Sequence, residues 1–357
     1  MSDLSEITAQ RAEQVIESLR NGIPPTGLVS HFTVGRKEEV AELEALLDPA
    51  TRGVGPGHLI KANYGSGKTH LLRVIEEKAL QRNYVVANVT VDANNGVRFN
   101  RMDQVLGRIY QSLESLDASL KGIDVIFNDL AQISTPQKVR QIRPDIVQGF
   151  ARQWVGSYPW MSKDYIRNRL HNLSSLDRGY WSKNKYETSW MAIENLNHLA
   201  VLAGHSGVVL LFDEFEDIFQ NLNNSQWQQT AFENFFNFFD NFHYSGLAFF
   251  AVTPEFVQKS KSLLRYKGIY GLSPDNFDHL PQFSMSPITE SDVNELAIKI
   301  CNTHGIAYDW PAYEVAYAAG IEGQVHLAFN SKMRNQTRLT IESIVCWLDG
   351  LLQSNEY

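Results

Sequence analysis

Ala12, Val15, Ile16 and Leu19 recur at helical spacing, predicting an amphipathic helix over 7–20 that ends at Asn21–Gly22 before Pro24 and Pro25. Val40, Leu43, Leu46 and Leu47 place a second helix within 33–47. A glycine-rich approach then leads to the short apolar run "HLIKA", a glycine turn, and Leu71, Leu72, Ile75 and Ala79, again a helical period. "YVVANVTVD" at 84–92 is rich in valine and predicts a strand. Strand, glycine turn, helix and strand form one βαβ unit, with the glycines at the strand-to-helix turn.

The pattern changes after 92. Residues 93–200 read as helical, "QVLGRIYQSLESL" being the clearest piece, with no strong strand until 207. Val208–Phe212 then give a five-residue apolar strand followed by Asp213 and Glu214. Phe232, Phe235, Phe236 and Phe239 stand at i, i+3, i+4 and i+7, a helical stripe that predicts core packing. "GLAFFAVTPEF" is a further buried-strand run ending at Thr253, "QFSMSPIT" is a candidate fifth strand, and Thr289 has the form of an N-cap opening a helical C-terminal region. The expected fold is α/β: an αβα three-layer sandwich with a long helical insert and a helical C-terminal lid. The expected divisions are an N-terminal helix and lead-in at 1–30, a core at 31–286 holding the insert at about 93–200, and the lid at 287–357.

Composition narrows the classes. Apolar residues make up 43% and charged residues 20% of 357 residues, an ordinary globular balance, and the net charge of −8 argues against a general polyanion binder. Cys301 and Cys346 offer no metal spacing or disulfide framework, and no apolar run approaches the roughly 20 residues of a membrane span. The N-terminus is amphipathic without the apolar core of a signal peptide, so a cytoplasmic protein is expected. The ten histidines show no zinc-protease pair, and no nucleophile elbow is present.

The glycine turn carries the chemistry. Ala62, Asn63, Tyr64, Gly65, Ser66, Gly67, Lys68, Thr69 and His70 follow the phosphate-loop pattern G-x-x-x-x-G-K-[ST], with Ala62 replacing the first glycine. The first position has to be small, so alanine is tolerated. Such a loop aims backbone N–H groups and a helix N-terminus at phosphate, while Lys68 reaches the β- and γ-phosphates and Thr69 gives its hydroxyl to Mg²⁺. Asp213 at a strand end can hold Mg²⁺ and Glu214 can polarise a water; alone, the pair is equally an acidic strand cap. Glu216 and Asp217 on the same turn read as solvent-facing or paired with basic residues rather than catalytic. Thr253 either senses a γ-phosphate or caps the turn at Pro254. Arg265 and Arg338 can supply positive charge to phosphoryl transfer or serve structure alone. Residues 141–190 hold eight Lys or Arg, four Asp or Glu, and Trp154, Trp160, Trp181 and Trp190. That mixture suits an insert with its own small core, a protein partner, or DNA.

"VGRKEEV", "ANYGSGKT", "VVLLFDEFED" and "AVTP", in this order, resemble a P-loop ATPase of the AAA+ class. "SLRNGIPP", "GSGKTHLLRVIEEKAL", "RFNRMDQVLGRIYQSL" and "GHSGVVLLFDEFEDI" resemble, more narrowly, the ATP-binding proteins of BREX-type bacterial phage-defence islands, over most of 10–255. The resemblance implies five central strands in the order 5-1-4-3-2, with ATP and Mg²⁺ as ligands. It places Gly35 and Arg36 near the adenine, Asp213 and Glu214 as the Walker B pair, Thr253 as a sensor and Arg338 as a lid sensor. It also implies a homo-oligomer that works beside a helicase or DNA methyltransferase. An ATP-dependent scaffold with little turnover and a DNA-loading protein are the alternatives.

Overall fold

The computed structural model describes residues 7–48, 57–91, 97–117, 120–126, 129, 185–216, 222, 224–241, 243–267, 272–330 and 336–354. The chain forms two compact units. One comprises Met1–Ala45, Ala62–Glu77 and Ser284–Tyr357; the other comprises Leu46–Lys61 and Lys78–Phe283.

The second unit is built on β1 (Gly57–Lys61), β2 (Tyr84–Thr90), β3 (Leu113–Glu114), β4 (Gly207–Asp213), β5 (Leu247–Val252) and β6 (Gln282–Ser284). They form one six-stranded sheet in the order β3-β2-β4-β5-β1-β6. β2 pairs with β4, β4 with β5, and β5 with β1, all parallel. Without β3, this is the 5-1-4-3-2 order that the resemblance implies. A parallel sheet flanked by helices is buried on both faces, so its central strands are continuous apolar runs rather than alternating ones. β5 is buried along its whole length.

β3 was not expected. The helix read from "QVLGRIYQSLESL" is α4 (Met102–Ser112), and it stops where Leu113 turns extended, at φ −61 and ψ 130. Leu113 pairs antiparallel with Ala87 of β2, and its carbonyl accepts the Gly122 N–H at 2.7 Å. The pairing satisfies backbone groups that β2 would otherwise present as a bare edge. Two residues are too few to leave a period-2 signal.

α5 (Lys185–Leu202), α6 (Ser225–Asn237) and α7 (Pro254–Lys267) complete the unit with a 3₁₀ turn at Pro274–His279. Phe232 and Phe235 of the α6 stripe are buried, while Phe236 and Phe239 pack against the same core from partly buried positions. Phe99 lies at the centre of this aromatic cluster, its ring 5.6 Å from Phe212 and 4.8 Å from Phe215. Its carbonyl accepts from Asn234 Nδ2 at 2.7 Å, and Asn234 Oδ1 accepts from Trp190 Nε1 at 2.9 Å. The rest of the basic, tryptophan-containing window, including Trp154, Trp160 and Trp181, lies outside the described residues.

The first unit joins both ends of the described chain. α1 (Ala9–Arg20) packs Val15, Ile16 and Leu19 into one core with Val293, Leu296 and Ile300 of α8 (Glu290–Tyr308), and Ile344 and Leu348 of α11 (Gln336–Ser354). Two shorter helices, α9 (Ala312–Ala318) and α10 (Ile321–Phe329), close this core. Thr289 caps α8 as expected, in a capping box with Asp292. Arg20 clamps the Asp349 carboxylate with two 3.0 Å bonds. The fully buried His304 donates from Nε2 to Asp349 at 3.1 Å, while its Nδ1 accepts Trp310 Nε1–H at 2.9 Å. Burial and the Arg20 charge lower the His304 pKa, and the Trp310 bond requires the neutral ring. Among the described residues, no helix is long and apolar enough to cross a membrane, and no cluster of His, Cys, Asp or Glu is arranged to hold a metal.

Candidate functional site

β1 ends at Lys61, where the chain enters the glycine turn, and α3 (Lys68–Gln81) begins at the lysine itself. Gly65 and Gly67 have φ of +75° and +91°, the left-handed region that L-residues with a Cβ avoid. At Gly67 the reason is backbone conformation and not crowding, because a Cβ there would meet nothing closer than 3.9 Å. The first helical bond runs from Leu71 N–H to the Gly67 carbonyl at 2.9 Å. The N–H groups at the start of α3 therefore have no earlier helical carbonyl to bond, the condition that makes a helix start an anion site. Ala62 is buried, and Asn63, Tyr64 and Thr69 are exposed.

Lys68 arches back over the turn. Its Nζ donates to the Ala62 carbonyl at 3.2 Å and the Asn63 carbonyl at 3.4 Å, and lies 5.0 Å from the Tyr64 ring centre. Ser66 Oγ donates to the Asn63 carbonyl at 2.6 Å, tightening the same turn. A cation, left-handed glycines and a helix N-terminus on one turn fit a triphosphate, and the Thr69 hydroxyl fits its magnesium ion.

The surroundings of the turn come from far along the chain. Arg36 is almost wholly buried; it pairs with Glu39 at 3.1 Å and donates to the Ser66 carbonyl at 2.9 Å and to the Ser286 carbonyl. Ser286 N–H returns a bond to Glu39 Oε1 at 2.9 Å. Arg36 thus ties α2 (Lys37–Leu46), the turn and the Ser286 segment together. Gly35, at φ +62°, sits against Asp292, whose carboxylate would be 2.7 Å from a Cβ. Bonds from the Thr289 hydroxyl and N–H, and the charge of Arg36, hold the Asp292 carboxyl below its usual range.

His70 meets Thr33 Oγ1 at 2.9 Å. With the Thr33 hydroxyl donating to the Val29 carbonyl, the His70 Nε2–H is the donor. Burial, aided by the Arg36 charge, pushes the His70 pKa down to about 4. Thr33, Glu39, Ser286 and Asp292 were not singled out by sequence reasoning. Two of them carry a local signal, the i, i+3 spacing of Arg36 with Glu39 and of Thr289 with Asp292.

The strand-end residues belong to the other unit. Asp213 closes β4, and Glu214 follows it at φ +53°, with its N–H bonded to Asp213 Oδ1 at 2.9 Å. A non-glycine residue in this region costs about 1–2 kcal/mol. The Phe212 and Phe215 rings on either side are fully buried, and they fix the pair at the carboxyl end of β4, a central strand. Thr253, buried at the end of β5, accepts the Phe256 N–H at 3.2 Å and so caps α7, whose first residue is Pro254. Arg265 is exposed on α7, and its charge helps to lower the pKa of Asp278. Arg338, in the first unit, bonds Glu342 at 2.9 Å and the Asn21 carbonyl at 3.0 Å.

No curated protein and no solved structure matches the chain. One family does match, over residues 7–124 and 186–357, covering the phosphate loop, the strand-end acids and the C-terminal helices. The chain belongs to the family described as BREX system ATP-binding protein BrxC/D.

Proposed function

We propose that this protein hydrolyses ATP as an AAA+-type switch within a bacterial phage-defence system. The observation that carries the reading is the turn at 62–70, where two left-handed glycines, a buried lysine and a helix start are assembled on one loop. Lys68 exchanges its two loop carbonyls for the β- and γ-phosphates, and the α3 N–H groups bind their oxygens. Thr69 and Asp213 are the residues that would hold magnesium, which would neutralise charge on the phosphates. Glu214 orients the attacking water and accepts its proton. Thr253 aligns that water or the γ-phosphate, with Arg265 and Arg338 as the candidates to offset developing charge. The helices at 287–357 act as the lid. A homo-oligomer in the cytoplasm, engaging a helicase or DNA methyltransferase, is the expected working form.

Phosphate release from wild type and Glu214→Gln tests this, with ATP binding measured in parallel. Hydrolysis predicts a loss of at least about 100-fold in the variant with binding kept. Wild-type release no greater than that of the variant, while both bind ATP, leaves a nucleotide-dependent scaffold as the function.

A further inference from the structure

A stripe on the second unit is not used by the nucleotide chemistry. Arg98 is exposed, and its guanidinium lies 5.7 Å from the centre of the Trp227 ring. Trp227, the third residue of α6, leaves 45% of its surface in solvent. Asn224, Ser225 and Gln226, which precede it in the chain, are exposed and polar. Among the described residues, no carboxylate bonds the Arg98 guanidinium, which lies over this ring.

Arg98 N–H donates to Gln104 Oε1 at 2.9 Å, which joins the pair to α4. Arg101, Gln104, Arg108 and Gln111 fall on one face of that helix at i, i+3, i+7 and i+10, and each is at least partly exposed. At 1.5 Å per residue the stripe runs about 15 Å. Asp103, the only acid on α4, is buried and clamped by Arg101 with bonds of 3.0 and 2.8 Å. On a chain of net charge −8, this is a basic, hydrogen-bonding track with a stacking platform at one end.

We propose that the track binds a single-stranded polynucleotide, with one base stacked on the Trp227–Arg98 pair and Arg101 and Arg108 meeting its phosphates. An aromatic face is indifferent to base identity, and guanidinium groups follow the backbone without reading sequence. A protein partner anchored on Trp227 would instead need apolar neighbours to complete a buried centre, and the exposed residues that precede the indole in the chain are polar.

The track also leads to the strand-end acids. Phe99, next to Arg98, packs its ring on Phe212 and Phe215, the residues that flank Asp213–Glu214. Its carbonyl is held by Asn234 of α6, the helix that carries Trp227. A strand seated on the platform therefore touches both elements that fix Phe99, and its binding shifts the setting of Glu214. This relay rests on the hydrolysis reading; the binding does not.

The test uses the full chain and a fluorescein-labelled oligothymidylate of about 20 nucleotides, followed by anisotropy at two salt concentrations. Wild type is expected to bind, more weakly at higher salt. Trp227→Ala and Arg98→Ala are each expected to weaken binding by about 5- to 100-fold, and Trp227→Phe by less than about threefold. Both positions are exposed, so unchanged circular dichroism should accompany the losses. No binding by wild type, equal affinity in all variants, or equal competition by duplex overturns the site. Phosphate release on the same samples separates the readings. Loss of oligonucleotide stimulation in the variants, with the basal rate kept, supports the relay; oligonucleotide binding without any hydrolysis leaves the track standing and removes the hydrolysis reading.

Discussion

Removing the Arg36 guanidinium tests how the phosphate turn is held. Arg36 and Glu39 expose only 4% and 7% of their side chains. The Arg36→Met variant keeps length and apolar volume. It leaves the Glu39 carboxylate buried with the Ser286 N–H as its remaining partner in this tether, and it strips the Ser66 and Ser286 carbonyls of a charged donor. Breaking one partner out of a buried pair costs about 3–5 kcal/mol, most of it the penalty of the stranded charge. Changing Glu39→Met as well removes that charge. The double variant is therefore expected to be more stable than Arg36→Met alone, with a coupling energy of about 2–3 kcal/mol. Urea denaturation of wild type, both single variants and the double variant, followed by far-ultraviolet circular dichroism, closes the cycle. A loss below about 1 kcal/mol for Arg36→Met, or additive single effects, would refute the tether.

Four other outcomes follow from the same structure. Gly67→Ala, with φ of +91° and open space around the added methyl, should cost about 1–2 kcal/mol of stability while nucleotide affinity, read by calorimetry, falls by more than that. Glu214→Gly should relieve the left-handed backbone and raise stability by about 1 kcal/mol in denaturant while abolishing phosphate release. The folded His70 pKa of about 4 lies below the ordinary 6.5, so the unfolded chain binds more protons between those values. Stability is then fully present above about pH 6.5 and lost as pH falls toward 4, by about 2–3 kcal/mol from this group, and His70→Asn should flatten a melting profile across that window. Trp190→Phe removes the donor to the buried Asn234 Oδ1 and should destabilise by about 1–3 kcal/mol in the same denaturation assay.

Much of the sheet was legible because a buried parallel strand has little choice of composition. Val208–Phe212 and Leu247–Val252 are uninterrupted apolar runs, and a helix or a half-exposed strand would have broken them with polar residues. The glycine turn was legible for the opposite reason: left-handed backbone at Gly65 and Gly67 restricts the residue type at each position. The Thr289 cap was local, three residues from its partner. The setting of the turn was not local. Arg36 read as a residue of the adenine pocket, while its bond to Ser286 spans 250 positions and has no periodicity to reveal it. Thr253 remained ambiguous in sequence because a capping hydroxyl and a phosphate-sensing hydroxyl occupy the same position after a strand; the structure shows the cap. The Arg98–Trp227 stack joins the segment before α4 to the first turn of α6, two places that no helical or strand period connects.

The unit that carries the phosphate turn is assembled from three separate stretches of chain, the last of them Ser284–Tyr357. A ribosome adding about 5–20 residues per second makes the turn roughly 10–40 seconds before α8 begins. Until then Arg36 lacks the Ser286 carbonyl, Gly35 lacks its Asp292 neighbour, and α1 has no helix to cover its apolar face. A chain broken off before Ser284 would therefore hold the strands of its sheet up to β5 while lacking the Ser286 carbonyl that tethers Arg36 and the Asp292 carboxylate beside Gly35.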